Sequence, residues 1–519
     1  MRFISRTPHV PSVARQADDR LLPCRRPWTL SVAVLLTFYL MNRPAFGLAL
    51  TDDTIRRSIE RHVVSESALS QDQVDIKVKD GIAMLSGSAD NLLQKSRVRQ
   101  IAESIRGVRS VVDTVVVKPV IRENEAIARD VRDNLSQIPP DRGLQVSVSV
   151  ESGIVTLKGA ADSWVRSRLA VFQAMSIKGV SEVVNQIDVR TRLERDDTDI
   201  ALDVKRRLAA DLYVDDALVA VTVKDGRVTL EGIVGTAAEK RRAAENAWIG
   251  GVVGVDDRHL MVDWRKKDRM RRASPYIRQP DAVILQAVED ALLIDPRVNA
   301  TNPDVSVANG VVTLSGAVDT LYAKQAAAED ARSTTGVWRV DNQLQLRYRS
   351  LPPDNRVKSM IEDVFQRDAE LHNLEIDVAV NDHRVNLSGS VDTVGQKVRA
   401  ENIASQIEGV LTLDNRISVK AKADIASDAD LKAAIVDELF WSPYVDGDRI
   451  GVTVKDGQAV LKGTAASRFV ALTAVQNAFE GGAETVRTQL VLDDGSTLNE
   501  LFGEETYPFR LGRLFRFRP

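Results

Sequence analysis

Val74-Asp75-Ile76-Lys77-Val78-Lys79-Asp80-Gly81-Ile82-Ala83-Met84-Leu85-Ser86-Gly87 is the stretch whose reading decides the fold. Val74, Ile76 and Val78 alternate with Asp75 and Lys77, the two-residue period of a strand half buried against a core. Asp80-Gly81 then fills the two central positions of a tight hairpin turn, where positive φ favours Gly, Asn and Asp. Ile82 to Ser86 forms the returning strand, which is expected to end at Gly87.

The pattern recurs along the chain. Gly81/Gly87 is followed by Gly153/Gly159, Gly226/Gly232, Gly310/Gly316, His383/Gly389 and Gly457/Gly463. The second glycines stand 72, 73, 84, 73 and 74 residues apart, and a near-constant period of that length marks a tandem repeat. These glycines are expected to serve structure. Gly81, Gly153, Gly226, Gly310 and Gly457 serve the turn, while Gly87, Gly159, Gly232, Gly316, Gly389 and Gly463 let the chain bend from strand into helix. In the fifth repeat Asp382-His383 replaces the usual turn pair. Histidine adopts the left-handed region more readily than most residues, so that turn is expected to survive.

Each repeat opens with apolar residues at helical spacing: Ile55, Ile59 and Val63 in the first; Ile200, Val204, Leu208 and Leu212 in the third; Leu431, Ile435 and Leu439 in the sixth. After the hairpin comes a second helix, such as Asn91 to Ile105, and then a third strand, such as Val111 to Val117. The predicted class is α+β. Each α-β-β-α-β module should build a three-stranded mixed sheet with one face covered by two helices and the other more polar.

The spacing divides the chain into a leader at 1–49, modules at 51–119, 121–190, 196–264, 281–348, 353–420 and 425–493, and a tail at 494–519. The longer interval between modules three and four holds an insert at 265–280. It carries Arg265-Lys266-Lys267-Asp268-Arg269-Met270-Arg271-Arg272. This reads as an exposed basic linker splitting the molecule into three plus three.

The module order, the Asp-Gly-x-x-x-Leu-x-Gly hairpin and a later Gly-Val motif together resemble the BON domain (bacterial OsmY and nodulation). The late motif stands as Gly107-Val108…Val111-Val112-Asp113, Gly179-Val180…Val183-Val184-Asn185, Gly336-Val337…Val340-Asp341-Asn342 and Gly409-Val410…Leu413-Asp414-Asn415. In module three it is one residue shorter, Gly251-Val252…Val255-Asp256, and module six departs with Gly482-Ala483…Val486-Arg487-Thr488. The resemblance implies an envelope protein that binds phospholipid or other envelope components, often linked to osmotic stress.

Arg25 and Arg26 precede an apolar run from Trp28 to Met41, followed by Arg43 and the small residues Gly47 and Ala49. This is a secretory leader pattern, with cleavage expected after Ala49 and a periplasmic destination. The alternative is an inner-membrane anchor facing the periplasm. A 14-residue helix rises only about 21 Å, against a hydrocarbon core of ~30 Å. Cleavage would remove seven arginines and two aspartates and take the formal charge from −3 to −8. It would also remove Cys24, the one cysteine, leaving neither disulfide nor thiolate metal site. An acidic chain of this kind is not a general nucleic-acid binder, which needs a surplus of Lys and Arg.

No G-x-S-x-G elbow, Walker A loop, H-E-x-x-H or C-x-x-C is present, and no two of the five histidines share ligand spacing on a helix. Asp446-Gly447-Asp448 has the look of a calcium loop, but Gly457 stands where its acidic twelfth position belongs. Neither a cofactor nor a metal is expected, and the chain reads as non-enzymatic. Two segments suit an anionic membrane surface: the linker (Arg265, Lys266, Lys267, Arg269, Arg271, Arg272) and the tail (Phe509, Arg510, Arg513, Phe515, Arg516, Phe517, Arg518). Trp164, Trp248, Trp338 and Trp441 fall in different modules and are expected to pack in cores. The reading is an envelope protein that binds phospholipid or other envelope surfaces through repeated modules. The alternative is a scaffold for an envelope protein complex.

Overall fold

The computed structural model describes residues 50–66, 69, 73–136, 143–190, 195–270, 279–298, 303–348, 351–420, 427–483, 485–493 and 495–497. The leader and the tail from 498 onward lie outside the described residues.

Module three illustrates the unit. Its leading helix, Asp197–Ala210, is capped by Asp196 and buries Ile200, Val204 and Leu208 at three- and four-residue steps. Leu212 lies beyond the helix end. Strand Val219–Lys224 pairs antiparallel with Arg227–Val234 across the Asp225-Gly226 turn, where φ is 52° and 70°. The second helix, Ala237–Asn246, starts at Thr236, whose hydroxyl accepts from the Glu239 amide. The third strand, Gly254–Val262, then runs parallel to the returning strand, which becomes the centre of the sheet. Every module repeats this mixed sheet. The third strand is broken in modules one, four and five, as in Ser110–Asp113 and Val116–Val117. The core lies between sheet and helices: Val228, Leu230, Val234 and Leu260 are each fully buried.

One local device was not visible in the pattern. The Asp197 carboxylate, at the start of the leading helix, accepts from both turn amides, Asp225 N and Gly226 N, each at 2.8 Å. Asp52, Asp281, Asp354 and Asp428 do the same for their own turns. In module two the residue is Asn124, and a single longer bond to Gly153 N at 3.4 Å remains. The clasp holds the turn of module five as well: Asp382 and His383 both sit at positive φ, 49° and 59°, so that turn forms as expected.

The second glycine of each hairpin has a different task from the expected one. Gly232 lies inside the returning strand, which continues to Val234, and the helix starts only at Ala237. At φ 121°, a Cβ on Gly232 would fall 1.9 Å from the carbonyl oxygen of Leu218, the residue just ahead of the paired strand. Gly87, Gly159, Gly389 and Gly463 meet the same obstruction at 2.2, 1.9, 2.3 and 2.0 Å. These glycines therefore permit close strand approach and do not bend strand into helix. At Gly316 the nearest atom is 3.7 Å away, and there the strand itself is interrupted. The late glycine also has a steric reason. Gly251, at φ 93°, packs against the Ile200 side chain, and its carbonyl lies against the Gly226 turn.

Modules pair in nested order. Arg106 N, after the second helix of module one, donates to Trp441 O at the end of module six's leading helix. Ile177 bridges Asp368 between modules two and five, and Asp211 bridges Thr334 between modules three and four. First meets last, second meets fifth, third meets fourth. The halves on either side of the basic insert are thus not separate, and the described residues from Leu50 onward form one compact unit. Side chains complete neighbouring cores. Trp441 and Ala237 join the core of module one, while Trp338 packs on the core of module six. Trp164 stacks face to face on Trp248 between modules two and three, centroids 5.3 Å apart. Of the four tryptophans only Trp441 is buried in a core, while Trp164, Trp248 and Trp338 are half-buried and make their contacts mainly between modules.

Candidate functional site

Of the basic set expected at a membrane, only part is described. Trp264–Arg269 forms a short 3-10 turn directly after the third strand of module three. Arg265 is exposed, yet its guanidinium returns to Asp263 at 2.8 Å, holding that carboxyl below its usual range. Arg269 is exposed and Met270 is buried. The Lys267 side chain, Arg271, Arg272 and all the tail residues named above lie outside the described residues.

What it does assemble is a cavity of about 300 Å³. The second helices of modules one, two, three and six converge on it: Leu92–Ser104, Trp164–Met175, Ala237–Asn246 and Arg468–Glu480. Segments following the leading helices of modules three, four and six add Tyr213, Arg297 and Tyr444. Tyr213, Tyr444 and Phe469 meet edge to face at 5.2 to 5.9 Å, fastening module three to module six. Burial raises the Tyr213 hydroxyl's pKa far above its ordinary value, so it stays neutral.

Most wall charges are matched, some within a module and some across modules. Arg241 of module three bonds to Glu103 of module one at 2.8 Å and to its own Glu245 at 3.0 Å. Burial opposes its charge, but the two glutamates prevail and raise its pKa. Arg242 donates to Asp211 at 2.6 Å and lies over the Tyr213 ring. Arg297 is fixed by Asp295 and Glu329 at 2.6 and 2.9 Å. His62 of module one faces Glu438 of module six at 2.9 Å, while its other ring nitrogen faces Ser58 O at 2.7 Å.

Arg168 differs. It is exposed to the cavity, lies over the Trp164 ring at 5.3 Å, and no carboxylate among the described residues forms an ion pair with it. Burial within the concave wall lowers its pKa; Glu245 opposes that effect and the nearby Arg99 and Arg241 reinforce it. Gln476 and Asn477, on the module-six helix, donate their amide nitrogens to Glu480 at 2.9 and 3.1 Å. Their amide oxygens are buried without a hydrogen-bond partner.

This arrangement can hold a ligand by charge and hydrogen bonding. Among the described residues, no three His, Cys, Asp or Glu side chains are placed to hold a metal. No described helix is long and apolar enough to cross a membrane. Sequence reasoning missed the cavity because its residues lie in different repeats. One signal was available: Asp211/Arg242 and Asp368/Arg399 share a 31-residue separation and both form buried ion pairs.

Comparison with known proteins accords with the repeat. The chain is 30% identical over 146 residues to Osmotically-inducible protein Y of Escherichia coli (strain K12), covering 27% of this chain and 73% of that protein. Two solved structures of CdsD, a structural protein of the type III secretion system of Chlamydia trachomatis, align over 43% and 42% of this chain and 99% of theirs. Their identities are 18% and 19%, each with a TM-score of 0.12. The BON domain matches at residues 51–119, 123–191, 196–262, 280–348, 353–421 and 427–494, and the chain belongs to the BON domain family as a six-copy repeat protein.

Proposed function

We propose that this chain is an exported protein of the bacterial periplasm that serves under osmotic or envelope stress by binding anionic phospholipid surfaces, without catalysis. Family membership and the relative named for osmotic induction support the setting. The observation that carries the binding mode is the outer sheet face of module one. There Ile82, Met84, Val112 and Val116 are 38%, 39%, 49% and 58% exposed. Met84 pairs with Lys77 on one side and Val112 on the other, so apolar side chains run beside an exposed lysine. Other modules expose single apolar strand residues, Ile154, Met261 and Val491, and the central strand of module three presents Arg227 and Glu231 on its exposed row. An apolar strip flanked by the exposed Lys77, which pairs with Asp75 at 3.0 Å, suits a headgroup interface, where alkyl surface is buried and charge meets phosphate. The basic linker and tail add local positive charge to a chain that is acidic overall.

The second reading is a scaffold in which an envelope protein covers the same strip. The test is sedimentation of the chain from Leu50 with vesicles. Binding to anionic vesicles at low salt should weaken towards 0.5 M, where the Debye length is about 4 Å. Met84→Glu with Val112→Glu should reduce it. Loss of the last thirteen residues, or of charge at Arg269, Arg271 and Arg272, should reduce it further. A protein that ignores anionic vesicles at low salt sinks the lipid reading and leaves the scaffold.

A further inference from the structure

We infer that the cavity between modules one, two, three, four and six binds a small, hydroxylated organic anion, with its acidic group on Arg168 and its hydroxyls on the amide oxygens of Gln476 and Asn477. The inference is independent of the lipid-binding strip, which lies on the opposite, sheet side of module one.

Charge comes first. Arg241, Arg242, Arg297 and His62 each have a carboxylate partner within 3.0 Å. Arg168 has none within ion-pair distance, and beside Glu245 the neighbouring Arg99 and Arg241 add positive potential around it. One accessible guanidinium in a concave, partly dehydrated wall favours an anion, because weak solvation strengthens a charge-assisted bond. Its face is held on Trp164, which is itself stacked on Trp248, so the group is oriented before a ligand arrives.

The amides supply the second half. Glu480 can only accept, so the NH₂ ends of Gln476 and Asn477 must face it. That fixes both oxygens as acceptors, and each is buried without a protein donor. Buried acceptors left unmatched are costly, and a ligand hydroxyl satisfies them. A ligand that offers donors at one end and negative charge at the other meets both needs. The volume, about 300 Å³, lies at the small end of ligand sites.

The probes are glycerol 3-phosphate and gluconate, titrated calorimetrically into the full chain, with inorganic phosphate and phosphatidylglycerol vesicles as comparison arms. Saturable 1:1 binding of at least one probe is expected. Arg168→Gln should weaken it about ten- to a hundredfold, the worth of a hydrogen-bonded charge. Gln476→Glu, which removes no volume but adds negative charge, should weaken it too, and thermal melts of both variants establish that they fold. Failure of both probes at millimolar concentration overturns the inference, as does binding that Arg168→Gln leaves unchanged. Inorganic phosphate binding as tightly as the probes overturns the hydroxyl half. Binding confined to the vesicles assigns the chain's ligand to its surface and overturns the cavity site.

Discussion

Truncation of Trp441 separates nested pairing from a simple linear array. In a linear array each repeat rests on its sequence neighbours, and damage in module six spreads to module five. Here Trp441 is 2% exposed and sits in the core of module one, with Ile59, Val63 and Ile105. Beside it Arg106 donates to Ser442 O at 2.6 Å and Val445 O at 2.9 Å, and His62 meets Glu438. Trp441→Ala leaves those polar links but opens a void, at a cost of about 3–5 kcal/mol. For amides exchanging through opening of that pair, this is a loss of protection of about a hundredfold or more. Hydrogen exchange at Ala83 and Leu85, on the central strand of module one, should record it. The matching amides Val385 and Leu387 of module five should change far less. Unchanged protection at Ala83 and Leu85, with the loss appearing in module five, would refute nested pairing.

Three further outcomes follow from local geometry. Gly226→Val forces φ 70° on a β-branched residue and drives its Cβ to 2.9 Å from Gly251 O, so calorimetric unfolding should show a loss of about 1–3 kcal/mol; no change removes the proposed turn. Asp197→Asn leaves one amide oxygen for two turn N–H groups, as in module two, and should cost about 0.5–1.5 kcal/mol, read as faster exchange at Asp225 and Gly226. Tyr348 donates to Val410 O at 2.8 Å, and burial, with Glu408 nearby, pushes its pKa up to about 12 from 10.0. Because the folded value is raised, the contribution is intact below pH 10 and is lost as pH climbs through 12; melting curves of Tyr348→Phe should fall less over that window than the parent's.

The module was legible because its determinants are local. A two-residue alternation, an Asp-Gly pair and helical apolar spacing lie within a few residues of one another, and each has one geometric outcome. The role of the second glycine was misread because the obstruction is the carbonyl oxygen of residue 73, 145 or 218, at or just ahead of the start of the paired strand, which local spacing does not reveal. The clasp spans 28 and 29 residues from Asp197 to its turn, so it becomes evident only once helix and hairpin are laid side by side. One longer-range signal was present and unused. The helix Arg468–Glu480 reads Phe469-Val470-Ala471-Leu472 and is interrupted only by Thr473, Gln476 and Asn477 before Ala478-Phe479, and every residue from Val470 to Phe479 is buried. A helix with so long an uninterrupted buried run has to be enclosed on more than one side, which a single module with one covered face cannot do.

That enclosure links the repeat to its site. Six copies of one fold would offer equivalent second helices, but the copies have diverged on the face that each turns away from its own sheet. Module three places Arg241 and Arg242 there, module two Trp164 and Arg168, and module six Gln476 and Asn477. No single module holds more than a fragment of the cavity. Nested pairing brings these faces together, and the third module's link to the fourth closes the wall at Arg297. Binding in the cavity therefore depends on the order of the modules as well as on their number. A chain with modules two and five exchanged would keep every hairpin, yet it would lose Arg168 from the cavity wall.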